Sequence, residues 1–474
     1  MLRKAGRAKA VGPIGAAAHE QGVYQLLRSW RELSPEGPVR LAKATSNLFR
    51  PRDRAQRGLD VSGLAGAISV DPVARTVDVQ GMCTYETLVD VTLAYGLMPL
   101  VVPQLRTITL GGAVTGLGIE ATSFRNGLPH ESVLEMDVLT GSGEIVTADP
   151  EGPHADLFDA FPNSYGSLGY AVRLRIALQP IGTHISTRNL RFTDLGELAE
   201  VVDAVCRTGA HDGVRVDGLD GVVFGPGDAV LVLATFDGID GAPTGSATPS
   251  DYVDGIYYQS LRDRATDRLT AHDYLWRWDT DWFWCSSAFG VQDPRIRRLW
   301  PRSLRRSDVY HRIVGLENRF HIAAGIDRRR GLPDRERVVQ DVEVPLGRLV
   351  EFVDWYLDNV PMTPIWLCPL RLREPAGPGS ARSWPLYPLV PGEVYVNVGF
   401  WGTVAIEPRR SDGDVNRAIE TRVSELDGHK SLYSDVYYDR ATFDRLYGTA
   451  ALDAVRERYD PTQRLTHLYD KVAN

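Results

Sequence analysis

The stretch that most constrains this chain runs from Pro103 to Gly127, PQLRTITLGGAVTGLGIEATSFRNG. It packs Gly111, Gly112, Gly116 and Gly118 into eight residues and closes on the Asn126-Gly127 turn signal. Each glycine in a helix interior costs about 1 kcal/mol relative to alanine, so the run does not read as an ordinary helix. Glycine turns through positive φ and approaches a ligand with no Cβ in the way. With Thr107, Thr109, Thr122 and Ser123 around it, the segment reads as a polar loop shaped around phosphates or a flat ring. A glycine-rich turn with no ligand is the plain alternative. The nicotinamide-binding fingerprint does not fit, because that motif follows the first strand of a βαβ unit. Here a proline and threonine run stands in front.

Residues 1–35 read as a frayed start followed by a helix around Val23–Leu33. VRLAKATSNLFRPR (39–52) opens as a short apolar strand and then delivers Lys43, Ala44, Thr45, Ser46 and Asn47. Backbone N–H groups at the end of such a strand can face an anion; a plain surface turn is the alternative. Ile68–Val70 and Thr76–Val79 read as strands around an Asp71-Pro72 turn, and Thr84–Tyr95 as a helix carrying Leu88, Val91 and Leu93. Past the glycine stretch, 131–148 read as a hairpin turning at Gly141-Ser142-Gly143. A short helix, a second glycine loop at Gly166–Gly169 and a strand at Ala171–Leu178 follow. Farther on, 214–224 and 228–236 read as paired strands, DVEVPLGRLVEFVDWYL as strand then helix, and EVYVNVGFWG as another strand. The small-residue stretches 238–250 and 374–385 read as loops.

A length of 474 residues suggests two or three domains. The net charge of −8 gives no reason to expect nucleic acid. Cys83, Cys206, Cys285 and Cys368 lie far apart, with no zinc spacing, so no metal is expected and a reduced cytoplasmic protein is the simplest reading. The N-terminus is basic without an apolar core, and no apolar run approaches 18 residues, so neither a secretory signal nor a membrane span is expected.

Three parts stand in register: the loop at 43–47, TITLGGAVTGLG, and SYGSLGYAV before a strand. Together they resemble the FAD-binding domain of the vanillyl-alcohol oxidase and p-cresol methylhydroxylase superfamily. The resemblance implies an α+β fold. A two-subdomain FAD-binding domain of the p-cresol methylhydroxylase type would span 1–180, an α+β substrate or cap domain 181–430, and a C-terminal segment, 431–474, would return to the FAD domain. It also implies that FAD is held by residues 43–47, by Gln104, Thr107, Thr109, Leu110, Gly111, Gly112, Gly116, Gly118, Ile119, Thr122, Ser123, Asn126 and Gly127, and by Gly166, Gly169 and Ala171. Residues 39–52 contain no histidine, so the FAD is expected to be non-covalent. GLGIEATSFRNGLPH, VVQDVEVPLGRLVEF, PIWLCPL, LYSDVYYDRATF and LYDKV are similar to the Δ24-sterol reductase family, in the same order over almost the whole chain. That similarity implies reduction of an isolated carbon–carbon double bond in an apolar lipid with NADPH, on a sterol side chain or a methylene-branched fatty acyl chain. The alternative within the superfamily is an oxidase or dehydrogenase of an alcohol or sugar-lipid.

An unactivated alkene needs an acid to protonate one carbon while reduced flavin delivers hydride to the other. Glu120 is the first candidate acid, with hydrogen bonding to backbone or ribose as its alternative role. Tyr433, Asp435 and Tyr437 form a second set. Trp366, Cys368, Tyr395 and Asn397 are candidates to line the substrate pocket, with strand packing as the plain alternative. Trp276, Trp278, Trp282, Phe283 and Trp284 fall within nine residues, and Arg295, Arg297, Arg298, Arg302, Arg305, Arg306 and Arg312 follow around Trp300. Tryptophan and arginine of this density suggest peripheral contact with an anionic membrane, at its inner face. The alternative is a tryptophan core, with the arginines paired to acids such as Asp293 and Asp308.

Overall fold

Period-two alternation bounded by turn residues marks the strands, and they collect into two main antiparallel sheets. The computed structural model describes residues 12–43, 49, 58–242, 244–252, 255–320, 331 and 333–473. The first sheet holds β1 (Ala67–Asp71), β2 (Thr76–Gln80), β3 (Leu97–Pro99), β4 (Val133–Leu139), β5 (Ile145–Ala148) and β6 (Tyr170–Pro180). Their order is β1-β2-β6-β4-β5, with β3 on the far end of β6. The Asp71 side chain accepts from Val73 and Ala74 N–H at 2.9 and 2.8 Å, which closes the expected β1–β2 turn. On the outer face of β6, Arg173 reaches Asp78, Glu135 and Asp137 at 2.5–2.7 Å, tying three neighbouring strands together. The inner face buries Leu174 and Ile176 with Leu88, Val89 and Val91 of the helix Tyr85–Leu93, which is capped by Thr84.

The second sheet follows from residue 184. Its strands are β7 (His184–Phe192), β10 (Gly218–Gly225), β11 (Asp228–Phe236), β12 (Thr266–Thr270), β13 (Arg335–Pro345), β14 (Ile365–Leu370), β15 (Tyr395–Ala405) and β16 (His429–Lys430). The short ribbon β8 (Ala210–His211) and β9 (Val214–Arg215) stands apart. The order is β12-β7-β11-β10-β14-β15-β13-β16. One face is apolar: Val338, Val342, Val344, Leu367, Val396 and Val398 pack under the helices 195–208, 349–359 and 414–425. The other face is not, and it defines the site.

Tyr459 and Arg464 reach back to the N-terminal part of the chain. Val39 N–H donates to Arg464 at 2.9 Å, Ser142 to Tyr459 at 3.1 Å, and the Tyr459 hydroxyl to Asp156 at 2.8 Å.

Two readings change here. The GGAVT run is helical after all, forming the helix Leu110–Thr115. The glycines are needed for proximity: a Cβ on Gly111 would lie 2.6 Å from the Gly81 carbonyl oxygen. The strand expected after Val39 reduces to one bridge, Leu41 with Leu59; Ala44, Thr45, Ser46 and Asn47 lie outside the described residues.

Candidate functional site

The three loops joined by the sequence reading meet in space. Lys43 Nζ donates to Thr109 Oγ1 at 2.9 Å, and the same oxygen caps the Leu110–Thr115 helix by accepting from Gly112 N–H at 3.2 Å. Tyr165 N–H donates to the Thr115 carbonyl at 2.8 Å, and a Cβ on Gly116 would meet the Tyr165 ring at 2.9 Å. Phe49 N–H donates to the Tyr433 carbonyl at 3.1 Å, bringing the C-terminal segment to the first loop. Phe49, Tyr165, Trp401 and Tyr433 all keep part of their surface accessible, so they border a space rather than fill a core. Ser167 and Ser434 Oγ, buried nearby, have no hydrogen-bond partner among the described residues. A cationic Lys43 at a helix start, a close glycine backbone and bordering aromatic rings suit a flavin nucleotide. Lys43→Ala is expected to weaken FAD binding about tenfold, the effect of losing one charge-assisted contact. Reconstitution of stripped protein, followed by quenching of flavin fluorescence, measures this.

Several residues carried over from the resemblance make contacts within the scaffold. Thr122 Oγ1 and Asn126 Nδ2 both donate to the Leu100 carbonyl, at 2.8 and 2.7 Å, and Ser123 Oγ accepts from Glu120 N–H at 3.2 Å. Gly127 has φ +70 and sits against the Glu131 carboxylate. These four shape the turn after the glycine stretch. Gly118 is enclosed by Pro103 and Pro129. Gly166 and Gly169 turn at φ +78 and +135, and Ala171 lies at the start of β6, its carbonyl against Gly81.

Glu120 is fully buried, and Arg277 lies 2.9 Å from it. Gln104 donates to its other oxygen. Arg277 also meets Asp220 at 2.9 Å, and Trp278 and Trp366 donate to the same Asp220 oxygen at 3.0 and 3.3 Å. Burial lifts the Glu120 carboxyl to about 7, with Arg277 pulling the other way. Glu120 and Gln104 therefore belong to an ion-paired cluster that joins the glycine stretch to the second sheet.

The acids that best fit proton donation lie elsewhere, on the second face of that sheet. Alternation puts Asp341 and Glu343 on one face of β13, while Val342 and Val344 face the apolar core. Register sets Asp341 opposite Gly399, Glu343 opposite Asn397 on one side and His429 on the other, and Cys368 opposite Asn397. Gly399 leaves room for this: its missing Cβ would stand 2.5 Å from Asp341 Oδ1 and 2.6 Å from the Trp401 ring. Asn397 Nδ2 donates to Asp341 at 2.9 Å, and Ser431 Oγ to Glu343 at 2.5 Å. Trp401 Nε1 donates to the Tyr433 hydroxyl at 2.8 Å.

Burial pushes Asp341 up to about 6 against hydrogen bonds from Asn397 and Tyr433. Burial pushes Glu343 well above the usual carboxyl range, and the neighbouring Asp341 charge adds to the shift. His429 Nε2 lies 3.5 Å from Glu343 Oε2, and burial lowers this imidazole to about 3, so it is neutral. Near neutral pH the pair Asp341–Glu343 thus keeps a proton in a dry pocket. Phe283, Trp366 and Trp401 wall it, with Phe283 centred 4.3 Å from Trp401 and 5.4 Å from Trp366.

Of the second expected set, only Tyr433 reaches this pocket. Asp435 points outward to Arg337 at 2.8 Å, and Tyr437 lies under Arg417. The segment around 433–437 is not a regular strand, so its alternation does not carry through. Trp366, Asn397 and Cys368 do lie on the site face, and Tyr395 borders it with its ring 5.9 Å from His429. Burial holds the Cys368 thiol well above its usual range, so it is an inert packing group. Asp341 and Glu343 escaped the sequence reading although their signal was present: two acids at i and i+2 in the otherwise apolar VVQDVEVP.

The tryptophan-rich run is interior. Trp276, Trp278, Trp282, Phe283 and Trp284 are each at most 6% exposed, and Arg297 and Arg305 are buried as well. Arg306 pairs with Glu86 at 2.7 Å, and Arg312 with Asp308 at 3.3 Å. The aromatic rings cannot insert into a bilayer from there, because they form the wall of the pocket. Among the described residues no helix is long and apolar enough to cross a membrane, and no His, Cys, Asp and Glu cluster could hold a metal.

Comparison with known proteins agrees with this geometry. The FAD binding domain family matches residues 21–149. Delta(24)-sterol reductase from Homo sapiens is 25% identical over 480 residues, spanning 96% of this chain and 86% of that protein. The Caenorhabditis elegans homolog is 23% identical, over 85% of this chain and 77% of its own, and the Arabidopsis thaliana protein 21%, over 87% and 76%. Cytokinin dehydrogenase 2 of Oryza sativa is 36% identical over 128 residues, 27% of this chain. The chain is an FAD-dependent oxidoreductase of the α+β class. Within that class it is similar over most of its length to Delta(24)-sterol reductases, and the likeness runs through both sheets.

Proposed function

We propose that this protein reduces an isolated carbon–carbon double bond in an apolar lipid, a methylene-branched acyl chain or a sterol side chain, with NADPH as electron donor. Residues 1–180 and 431–474 hold the cofactor in this reading, as a p-cresol methylhydroxylase-type domain of two subdomains, and 181–430 cover the substrate. The observation that carries it is the buried, proton-retaining pair Asp341 and Glu343 beside the indoles of Trp366 and Trp401. FAD, held non-covalently by the Lys43 and Gly111 region and reduced by NADPH, would supply the hydride.

The protein supplies the proton. Asp341 gives its proton to the less substituted alkene carbon, so positive charge develops on the more substituted one, the carbon that would receive the hydride. Aromatic faces stabilise such a charge by about 0.5–2 kcal/mol each, and Trp401 and Trp366 are placed to do so. The aspartate left behind accepts from Asn397 and Tyr433, and Glu343 shares its strand face.

Anaerobic mixing with NADPH is expected to bleach the flavin absorbance within the turnover time. Lipid mass spectrometry after expression should then show a gain of two mass units on alkene-bearing chains. Flavin that NADPH leaves oxidised, and that an alcohol reduces, would reverse the reading.

A further inference from the structure

With the tryptophans inside, the surface they were expected to form is taken by the segment just after them. Ile296, Leu299 and Leu304 are 43%, 84% and 42% exposed, three of the nine exposed large apolar side chains among the described residues. All three fall within nine residues, whereas the other six are scattered along the chain. Arg295, Arg298 and Arg302 are exposed among them. No carboxylate pairs with Arg295 or Arg298 among the described residues.

The segment is braced from within, so its outer side chains are held out. Asp293 caps the helix Pro294–Leu299, accepting from Arg295 N–H at 2.7 Å. Buried Arg297 pairs with Asp281 at 2.6 Å and donates to the Gly255 carbonyl at 2.5 Å. Buried Arg305 donates to the Trp300 carbonyl at 3.0 Å. Trp300 in turn packs into the small core of Trp282, Val291 and Tyr310, which also takes in Phe49 beside Tyr433. Arg298, Leu299 and Arg302 line a surface groove of about 710 Å³ over these braces.

We propose that residues 294–304 form a docking surface for an anionic lipid bilayer, with Leu299 as the inserting side chain and Arg295 and Arg298 at the headgroups. A protruding leucine ringed by arginines suits lipid, since the chain entering hydrocarbon leaves the cations at phosphate level. The overall charge of −8 repels such a surface, so binding has to be local to this patch and salt-sensitive. The proposal is independent of the reductase reading, because its readout is partition and not turnover.

The test is co-sedimentation of the FAD-loaded full chain with phosphatidylglycerol or phosphatidylcholine vesicles at low and high salt. Preference for phosphatidylglycerol, lost at high salt, is expected. Leu299→Asn should weaken it about tenfold. The double change Arg295→Ala, Arg298→Ala should weaken it about thirtyfold. Val73→Asn, at an exposed site on the first sheet's turn, should change nothing, and flavin retention and circular dichroism confirm folding of each variant. Equal binding to both lipids, no binding, or unaltered binding by the patch variants would overturn the proposal. So would a wild-type dimer in sedimentation equilibrium that Leu299→Asn dissolves, which would make a second copy the occupant.

Discussion

Replacing Asp341 with asparagine is expected to lower alkene reduction by about 10²–10⁴-fold, the range a positioned general acid contributes. FAD binding and bleaching by NADPH should survive, because the amide keeps the shape of the carboxyl and its place opposite Gly399. A single-turnover assay with reduced enzyme separates the two. The sign of the pH dependence follows from the shift. Asp341 is raised to about 6, so its donor form is present below that and fades as pH rises through it. Glu343 is raised further and holds its proton longer, so the wild-type profile should extend to higher pH than that of Glu343→Gln. Stability follows the same direction. The neutral Asp341 is what the dry pocket tolerates, so its contribution is complete below the unfolded value near 3.8 and is lost as pH rises through about 6. Wild-type turnover by Asp341→Asn would remove it as the donor.

The second large effect is on stability. Arg277→Met leaves Glu120 and Asp220 buried without their cation, which is expected to cost about 3–5 kcal/mol. Urea unfolding of the holoprotein should show this as a lowered midpoint at unchanged slope. Glu120→Gln removes only one of the two anions around Arg277, so its loss should be smaller, and turnover should stay within about threefold of wild type. A Glu120→Gln protein that is folded, holds FAD and is inactive would return the acid role to Glu120. An Arg277→Met midpoint equal to wild type would show that the cluster contributes nothing to stability.

The two acids were missed, and Glu120 was preferred, for a physical reason. Glu120 stands two residues after a glycine run, and glycine runs draw attention to whatever they carry. Its partner Arg277 is far away in sequence and meets it only because Tyr274–Trp278 folds over β10. In the same way, the density of tryptophan at 276–284 is equally compatible with a bilayer and with a core. Burial chose between them, and burial is a property of the whole chain.

What the sequence by itself determined was local or repetitive. The turns at Asp71 and Gly141–Gly143, the strands on either side of them and the paired run at 218–236 follow from alternation and turn chemistry, which act over a few residues. The meeting of the motif loops was legible too: Lys43 reaches Thr109, and Tyr165 reaches Thr115. The tertiary structure decided which side chains share a face and which of them lose water. Asp341 and Glu343 became proton carriers only when β15 and β16 closed on either side of β13 and sealed them from solvent. Desolvation sets their protonation, and it depends on every neighbour at once.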